Sequence, residues 1–147
     1  MGLDVGDVRI GLATGDTESH IAVPVGALAR TTIEEDLRQL GGIAREREIS
    51  LFVVGMPYSM NGKIGPQAEV TLTFIDRLVS SLATDVVTVD ERLTSVEAER
   101  LIRERPRTRR GQRARPEKGE IDIGAAVLIL QIWFDSYWME KTRPLGG

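Results

Sequence analysis

Three carboxylates in this 147-residue chain keep company that does not suit a charge. Asp4 lies in "GLDVG", Glu91 in "VDERLT" and Asp122 in "EIDIGAA", each among apolar residues or glycines. An ionised carboxylate taken out of water is costly unless it is paired or holds a cation. Taken singly, each has a plainer explanation: Asp4 as a turn former ahead of Gly6-Asp7, Glu91 as a charged strand end pairing with Arg92 or Arg9, Asp122 as a helix N-cap. Taken together, they offer hard oxygen donors of the kind that suit Mg²⁺ or Mn²⁺. Two such ions about 4 Å apart form the clamp used in phosphodiester hydrolysis, one activating water and the other stabilising the leaving oxygen. That chemistry needs no protein nucleophile. The composition agrees, with no cysteine and a single histidine, His20. Thiol nucleophiles, disulfides and thiolate metal sites are excluded, and a Ser-His-Asp triad or a multi-histidine zinc site has little to draw on.

For the acids to meet, the chain must fold so as to carry them to one place. At this length it makes one domain, expected over residues 1–140, with 141–147 as a loose tail. Gly2 to Val5 and Val8 to Thr14 read as two strands joined by a Gly6-Asp7 turn. A third extended segment begins at His20, and Pro24 within it marks an edge strand or a bulge. Thr31 or Thr32 can cap a helix from Ile33 to about Glu48. "LFVVG" (51–55) is an apolar run of the kind expected for a strand covered on both faces. A helix from Gln67 to about Leu82 presents Ala68, Leu72, Ile75, Leu78, Val79 and Leu82 on one face. "VVTV" (86–89) is another short apolar strand, and Thr94 with Glu97 has capping-box spacing for a helix to about Arg103. "IDIGAAVLILQIWFDSYW" (121–138) should be the most buried helix, with Asp122 at its start.

Antiparallel strands followed by βα units imply an α/β fold with a mixed sheet and helices on both faces. Asp4 then sits on the first strand, and Glu91 at the carboxyl end of a later parallel strand, the edge where such sheets place their sites. Period-two alternation puts Asp90 and Glu91 on opposite sides, so one of them reaches the metal and the other serves as a structural anchor.

The net charge of -3 is unevenly spread. Arg103 to Lys118 holds eight basic residues and two acidic ones, a local +6. Charge runs are usually solvated loops, but this one opens directly onto Asp122 and is nearly all arginine, which makes bidentate contacts to phosphate, and this favours binding. Such contacts give affinity without reading sequence. The loop "PYSMNGKIGPQ" offers Asn61 and Lys63 either to substrate or to a mobile connector. Trp133, Phe134, Tyr137 and Trp138 recur at helical spacing, which favours core packing or a partner surface over base stacking. No apolar run approaches a membrane span and the N-terminus lacks signal-peptide character, so a cytoplasmic protein is expected.

Four blocks, "GLDVGDVRIGLATGD", "VVGMPYSMNGKIGPQAE", "VDERLTSVEAE" and "IDIGAAVLILQIWF", resemble in order and spacing those of the YqgF (RuvX) family of RNase H-like nucleases. The resemblance runs from Gly2 to about Phe134. It implies an RNase H-like fold with a five-stranded mixed sheet, and a divalent-metal nuclease whose catalytic and metal-binding acids are Asp4, Glu91 and Asp122. It further implies processing of the 5′ end of pre-16S ribosomal RNA, with Holliday-junction resolution as the alternative. In the first block Val8 replaces the family's usual lysine, leaving Arg9 to meet phosphate. The expected nucleic-acid contacts are therefore Arg9, Lys63, Arg92, Arg109, Arg110 and Arg113, on structured RNA or branched DNA, with the protein acting as a monomer or homodimer. The short run before Asp4 suggests a native start upstream of Met1.

Two readings of other classes compete. A silent nucleic-acid-binding module of the same fold would not require the acid trio. A fragment of an actin-like ATPase would explain "GLDVG", but those enzymes close two lobes around a nucleotide and the chain has room for one.

Overall fold

The computed structural model describes residues 1–93 and 118–143, the side chains of 118–123 excepted. Its sheet is built from β1 (Gly2–Val5), β2 (Arg9–Thr14), β3 (Val23–Ala29), β4 (Leu51–Met56) and β5 (Asp85–Asp90) in the order β3-β2-β1-β4-β5. β1 to β3 are antiparallel, while β1, β4 and β5 run parallel. The first strand is therefore the central one. Helices α1 (Ile33–Glu46), α2 (Pro66–Leu82) and α3 (Lys118–Thr142) complete the described elements.

Period-two alternation divides the core between the two faces of the sheet. Leu3, Ile10, Phe52 and Val54 pack with Leu37 and Leu40 of α1 and with Phe74 and Leu78 of α2. Ala13, Val53 and Val89 pack with Ala126, Ile129, Leu130 and Phe134 of α3. Helices thus cover both faces. Gly2 and Asp4 alternate with Leu3, so they belong to the α3 face.

α3 comes very close at Gly2, where an added Cβ would stand 2.7 Å from the Ala126 carbonyl oxygen and 2.8 Å from the Leu130 Cβ. Neither neighbour is the free end of a flexible side chain. Gly2→Ala should therefore cost about 1–3 kcal/mol by forcing the helix off the sheet. At Gly42 in α1 a Cβ meets nothing within 4 Å, and Gly42→Ala should add about 0.5–1 kcal/mol through helix propensity. Urea unfolding of the two variants, measured side by side, should move in opposite directions.

Several boundaries depart from the sequence expectation. β3 starts at Val23 because residues 16–20 form a turn, with the Asp16 carboxylate accepting from the Glu18 and Ser19 N–H groups at 2.9 and 2.8 Å. Pro24 lies on this edge strand, next to a register shift between Leu12 and Ala13. Thr32 caps α1 by accepting from Glu35 N–H at 3.2 Å. The helix ends at Glu46, earlier than expected. Glu48 takes a left-handed φ of 54°, with Ile49 N–H donating to the Ala44 carbonyl and Glu48 N–H to that of Arg45. That is a Schellman ending built without glycine.

On α2 the buried residues are Ala68, Thr71, Phe74 and Leu78, whereas Leu72 and Val79 are exposed. Helical conformation after β5 already begins at Glu91, so Asp90 stands at the cap position. Asp90 Oδ1 accepts from Arg92 N–H at 3.0 Å. The Thr94 to Glu97 box and the helix to Arg103 lie outside the described residues. α3 begins at Lys118, which places Asp122 inside the helix and not at its N-cap. It is buried at Ala126, Ile129, Leu130 and Phe134 but exposed at Trp138, and it continues through Lys141 and Thr142. Residues 144–147 of the expected tail lie outside the described residues.

Candidate active site

β4 stands between β1 and β5, so an acid at the end of β5 must cross β4 to reach Asp4. Gly55 makes that crossing possible. A Cβ on Gly55 would lie 2.7 Å from both Cγ and Oε1 of Glu91, and 2.5 Å from Cδ1 of Ile129. The Glu91 side chain therefore lies over the bare backbone of β4, beneath α3, and its carboxyl is hydrogen-bonded to that of Asp4. Two acids hydrogen-bonded to each other share a proton. Burial first, then the hydrogen bond and charge of Asp4, and last the charge of Asp90, push the Glu91 carboxyl from 4.5 up to about 8.

Asp90 takes a different part. The Arg92 guanidinium donates to both of its oxygens, Nε at 3.0 Å and Nη2 at 2.5 Å, and holds Asp90 below the usual carboxylate range. Arg92 also reaches the Met60 carbonyl at 3.5 Å and lies 5.9 Å from the Tyr58 ring centroid. Asp90 and Arg92 thus tie the end of β5 to the loop after β4. In that loop Asn61 Oδ1 accepts from Ser59 Oγ at 2.6 Å and from Lys63 N–H at 3.1 Å, so Asn61 shapes the turn while Lys63 stays exposed. Arg9 opens β2, half-buried and paired with Ala29.

The backbone of Asp122 can be placed from the contacts of α3. Phe134 meets Gly15, while Ala126 and Leu130 meet Gly2, so the helix runs antiparallel to β1. Four residues before Ala126, about 6 Å along the axis, is Asp122, in the direction in which β1 advances about 6.6 Å from Gly2 to Asp4. Its side chain lies outside the described ones, as do Arg109, Arg110 and Arg113. Among the described residues no group of three or more acids or histidines gathers to hold a metal. The pair that does gather consists of hard oxygen donors, and this donor set fits Mg²⁺ or Mn²⁺.

The raised carboxyl sets a sign for pH dependence. A group whose folded pKa lies above its unfolded value stabilises the fold fully below the unfolded value, and that contribution is lost as pH rises through the folded one. In chelator, Glu91 should therefore make the protein less stable between about pH 5 and 8. A cation bound by this pair would displace the shared proton, so any rise in melting temperature on adding Mg²⁺ should be larger at pH 8.5 than at pH 6. Thermal melts with and without chelator at the two pH values check this.

One hollow of about 360 Å³, bordered by Met1, Gly15, Arg47, Leu51 and Trp133, lies at the opposite end of β1 and β4 from the acid pair. No helix among the described residues is long and apolar enough to cross a membrane.

The sequence profile of the family described as "RuvX: Holliday junction resolvase" matches residues 1–136. The chain belongs to the RuvX family. A RuvX relative from Synechococcus elongatus is 42% identical over all of this chain and 94% of its own length. Another, from Trichormus variabilis, is 43% identical over 92% of this chain and 86% of its own. Both carry the name "Putative pre-16S rRNA nuclease". Among solved structures, Thermus thermophilus RuvC in complex with a Holliday junction substrate is similar with a TM-score of 0.59 at 12% identity, covering 93% of this chain and 94% of that one. A second Thermus thermophilus RuvC structure gives 0.51 at 10% identity, with the same coverage of each chain. At such identity the likeness speaks for the fold, and it is the RNase H-like one that the strand order displays.

Gly55 is the residue that sequence reasoning passed over. A glycine closing an apolar parallel strand is itself a sign that something approaches the backbone closely.

Proposed function

We propose that this RuvX chain is a hydrolase acting on ester bonds, a metal-dependent endonuclease that cuts the phosphodiester backbone, with 5′-end processing of pre-16S rRNA as its reaction in the cytoplasm. The observation that carries the proposal is the proton-sharing Asp4 and Glu91 pair laid across Gly55 at the end of the central strands. Asp4, Glu91 and Asp122 would hold Mg²⁺ or Mn²⁺, as two ions. When bound, such ions supply an activated water and neutralise charge on the leaving oxygen. The protein's own share is positional. Gly55 lets Glu91 lie flat on the sheet, Glu91 gives up the proton it shares with Asp4, and Arg92 fixes Asp90 so that the first helical turn presents Glu91 inward. Arg9, Lys63 and Arg92, with Arg109, Arg110 and Arg113, neutralise backbone phosphates.

The family's description and its fold keep one rival in view, resolution of a four-way DNA junction. Cleavage of a 16S precursor carrying its 5′ leader and of a four-way junction, each with Mg²⁺ or Mn²⁺, separates the two. Cutting of the precursor alone supports the proposal, and cutting of the junction alone transfers it to branched DNA. Salt-sensitive binding without cutting would make the chain a binding module. In the same assay, replacing Arg109, Arg110 and Arg113 with alanine should lower the slope of log affinity against log salt by about 2–3, at roughly 0.7–0.9 per lost phosphate contact. An unchanged slope removes those arginines from the interface.

A further inference from the structure

Arg30 is a buried arginine to which nothing above gives a task. It stands between β3 and α1 with its side chain 16% exposed. Its Nε donates to Asp36 Oδ2 at 3.1 Å and its Nη1 to the Gly6 carbonyl at 3.0 Å. The guanidinium lies 5.4 Å from the Phe74 ring centroid on α2. The Arg30 backbone N–H donates to the Val8 carbonyl at 2.8 Å. Asp36, only 1% exposed, uses its other oxygen to accept from Thr31 N–H at 3.0 Å.

Stability alone is a poor reason for this arrangement, because an apolar pair of equal volume usually serves a core as well as a buried ion pair or better. What arginine adds is a rigid planar fork that can hold an acid and a carbonyl at once. The carbonyl it holds is that of Gly6, two residues after Asp4. The second anchor, Val8, comes one residue before Arg9. Gly6 N–H in turn donates to the Arg9 carbonyl at 2.9 Å. The whole turn between a proposed metal ligand and a proposed phosphate contact is therefore tied to the start of α1. From this we infer that Arg30, oriented by Asp36, is a positioning residue that fixes the β1–β2 turn and so holds the Asp4 carboxylate against Glu91. The inference rests on the nuclease reading, in which a shift of about 1 Å at the reacting groups costs up to roughly a hundredfold in rate.

Two variants test it. Arg30→Met with Asp36→Leu replaces the pair by apolar side chains, and Arg30→Lys keeps the charge but has a single ammonium that cannot hold both Asp36 and Gly6. Four quantities are measured: melting temperature, substrate affinity without metal, cleavage rate at saturating substrate, and hydrogen exchange at the Gly6 and Arg30 amides. The expected result is faster exchange confined to the turn, affinity within about twofold, and a rate per folded molecule at least about tenfold lower. A purely structural role would lower melting temperature and leave that rate untouched, which overturns the inference. If the double variant does not fold, Arg30→Lys decides on the same readouts. A wild type that cuts neither RNA nor junction overturns the nuclease reading and the positioning role with it, whereas an active wild type with fully active variants overturns the positioning role alone.

Discussion

Asp4→Asn and Glu91→Gln should each lower cleavage by at least about 10³-fold, the scale expected when a group central to the reaction is lost. Both substitutions keep size and hydrogen-bonding capacity, so the Asp4 to Glu91 contact can survive as an amide-to-carboxylate hydrogen bond. What disappears is one negative charge of the three that would hold the cations. Stability should move the opposite way. Glu91 is uncomfortable as an anion, being buried beside Asp4 and near Asp90. Glu91→Gln relieves that, and the metal-free variant should gain about 1–2 kcal/mol at pH 8, as substitutions at strained functional sites commonly do. For a chain of this size the gain amounts to roughly 2–8 °C in melting temperature. At pH 5, where the wild-type carboxyl is protonated, the difference should vanish. A dead variant that is also less stable at pH 8 would mean that Glu91 is a structural residue, and full activity in both variants would point to a contaminating nuclease.

Gly55→Ala should be nearly as damaging to cleavage, by about 10²-fold, with no charge altered. The new methyl would sit 2.7 Å from Glu91 Oε1 and Cγ and 2.5 Å from Ile129 Cδ1. Contacts that close force neighbours to move. Glu91 has the freer end and swings away from Asp4, while Ile129 strains the packing of α3 at a cost of about 1–3 kcal/mol. The two effects can be separated, because Ile129→Val removes the clashing Cδ1 and leaves the Glu91 side chain itself unaltered. In the double variant stability should return toward wild type while cleavage stays low. If cleavage returned as well, the loss would have come from α3, and the path of Glu91 over β4 would not matter.

The local elements were legible because their signals are local. Alternation and apolar runs marked the five strands, the Thr31-Thr32 pair announced α1, and Pro24 announced an edge or a bulge. Errors arose where chemistry departed from the usual residue. α1 stops on Glu48 in a left-handed turn that glycine normally supplies, so nothing in the letters marked the end. The helix after β5 was expected to start at Thr94, yet helical conformation already begins at Glu91, where Asp90 Oδ1 accepts from Arg92 N–H. On α2 the expected face holds at Ala68 and Leu78 but not at Leu72 and Val79, which are exposed while Thr71 and Phe74 are buried.

By itself the sequence determined which groups are able to do chemistry: an acid in a glycine-flanked first strand, another after a late parallel strand, a third in the last helix, and no thiol or histidine cluster to compete. It also determined the order of strands along the chain. The order across the sheet, with β1 central and β4 between it and β5, was decided only by tertiary structure, because pairing of distant strands depends on how crossovers pack and not on any local period. That order is what makes Glu91 cross β4 to reach Asp4, turns Gly55 from the end of an apolar run into the floor of the site, and hands Asp90 to Arg92.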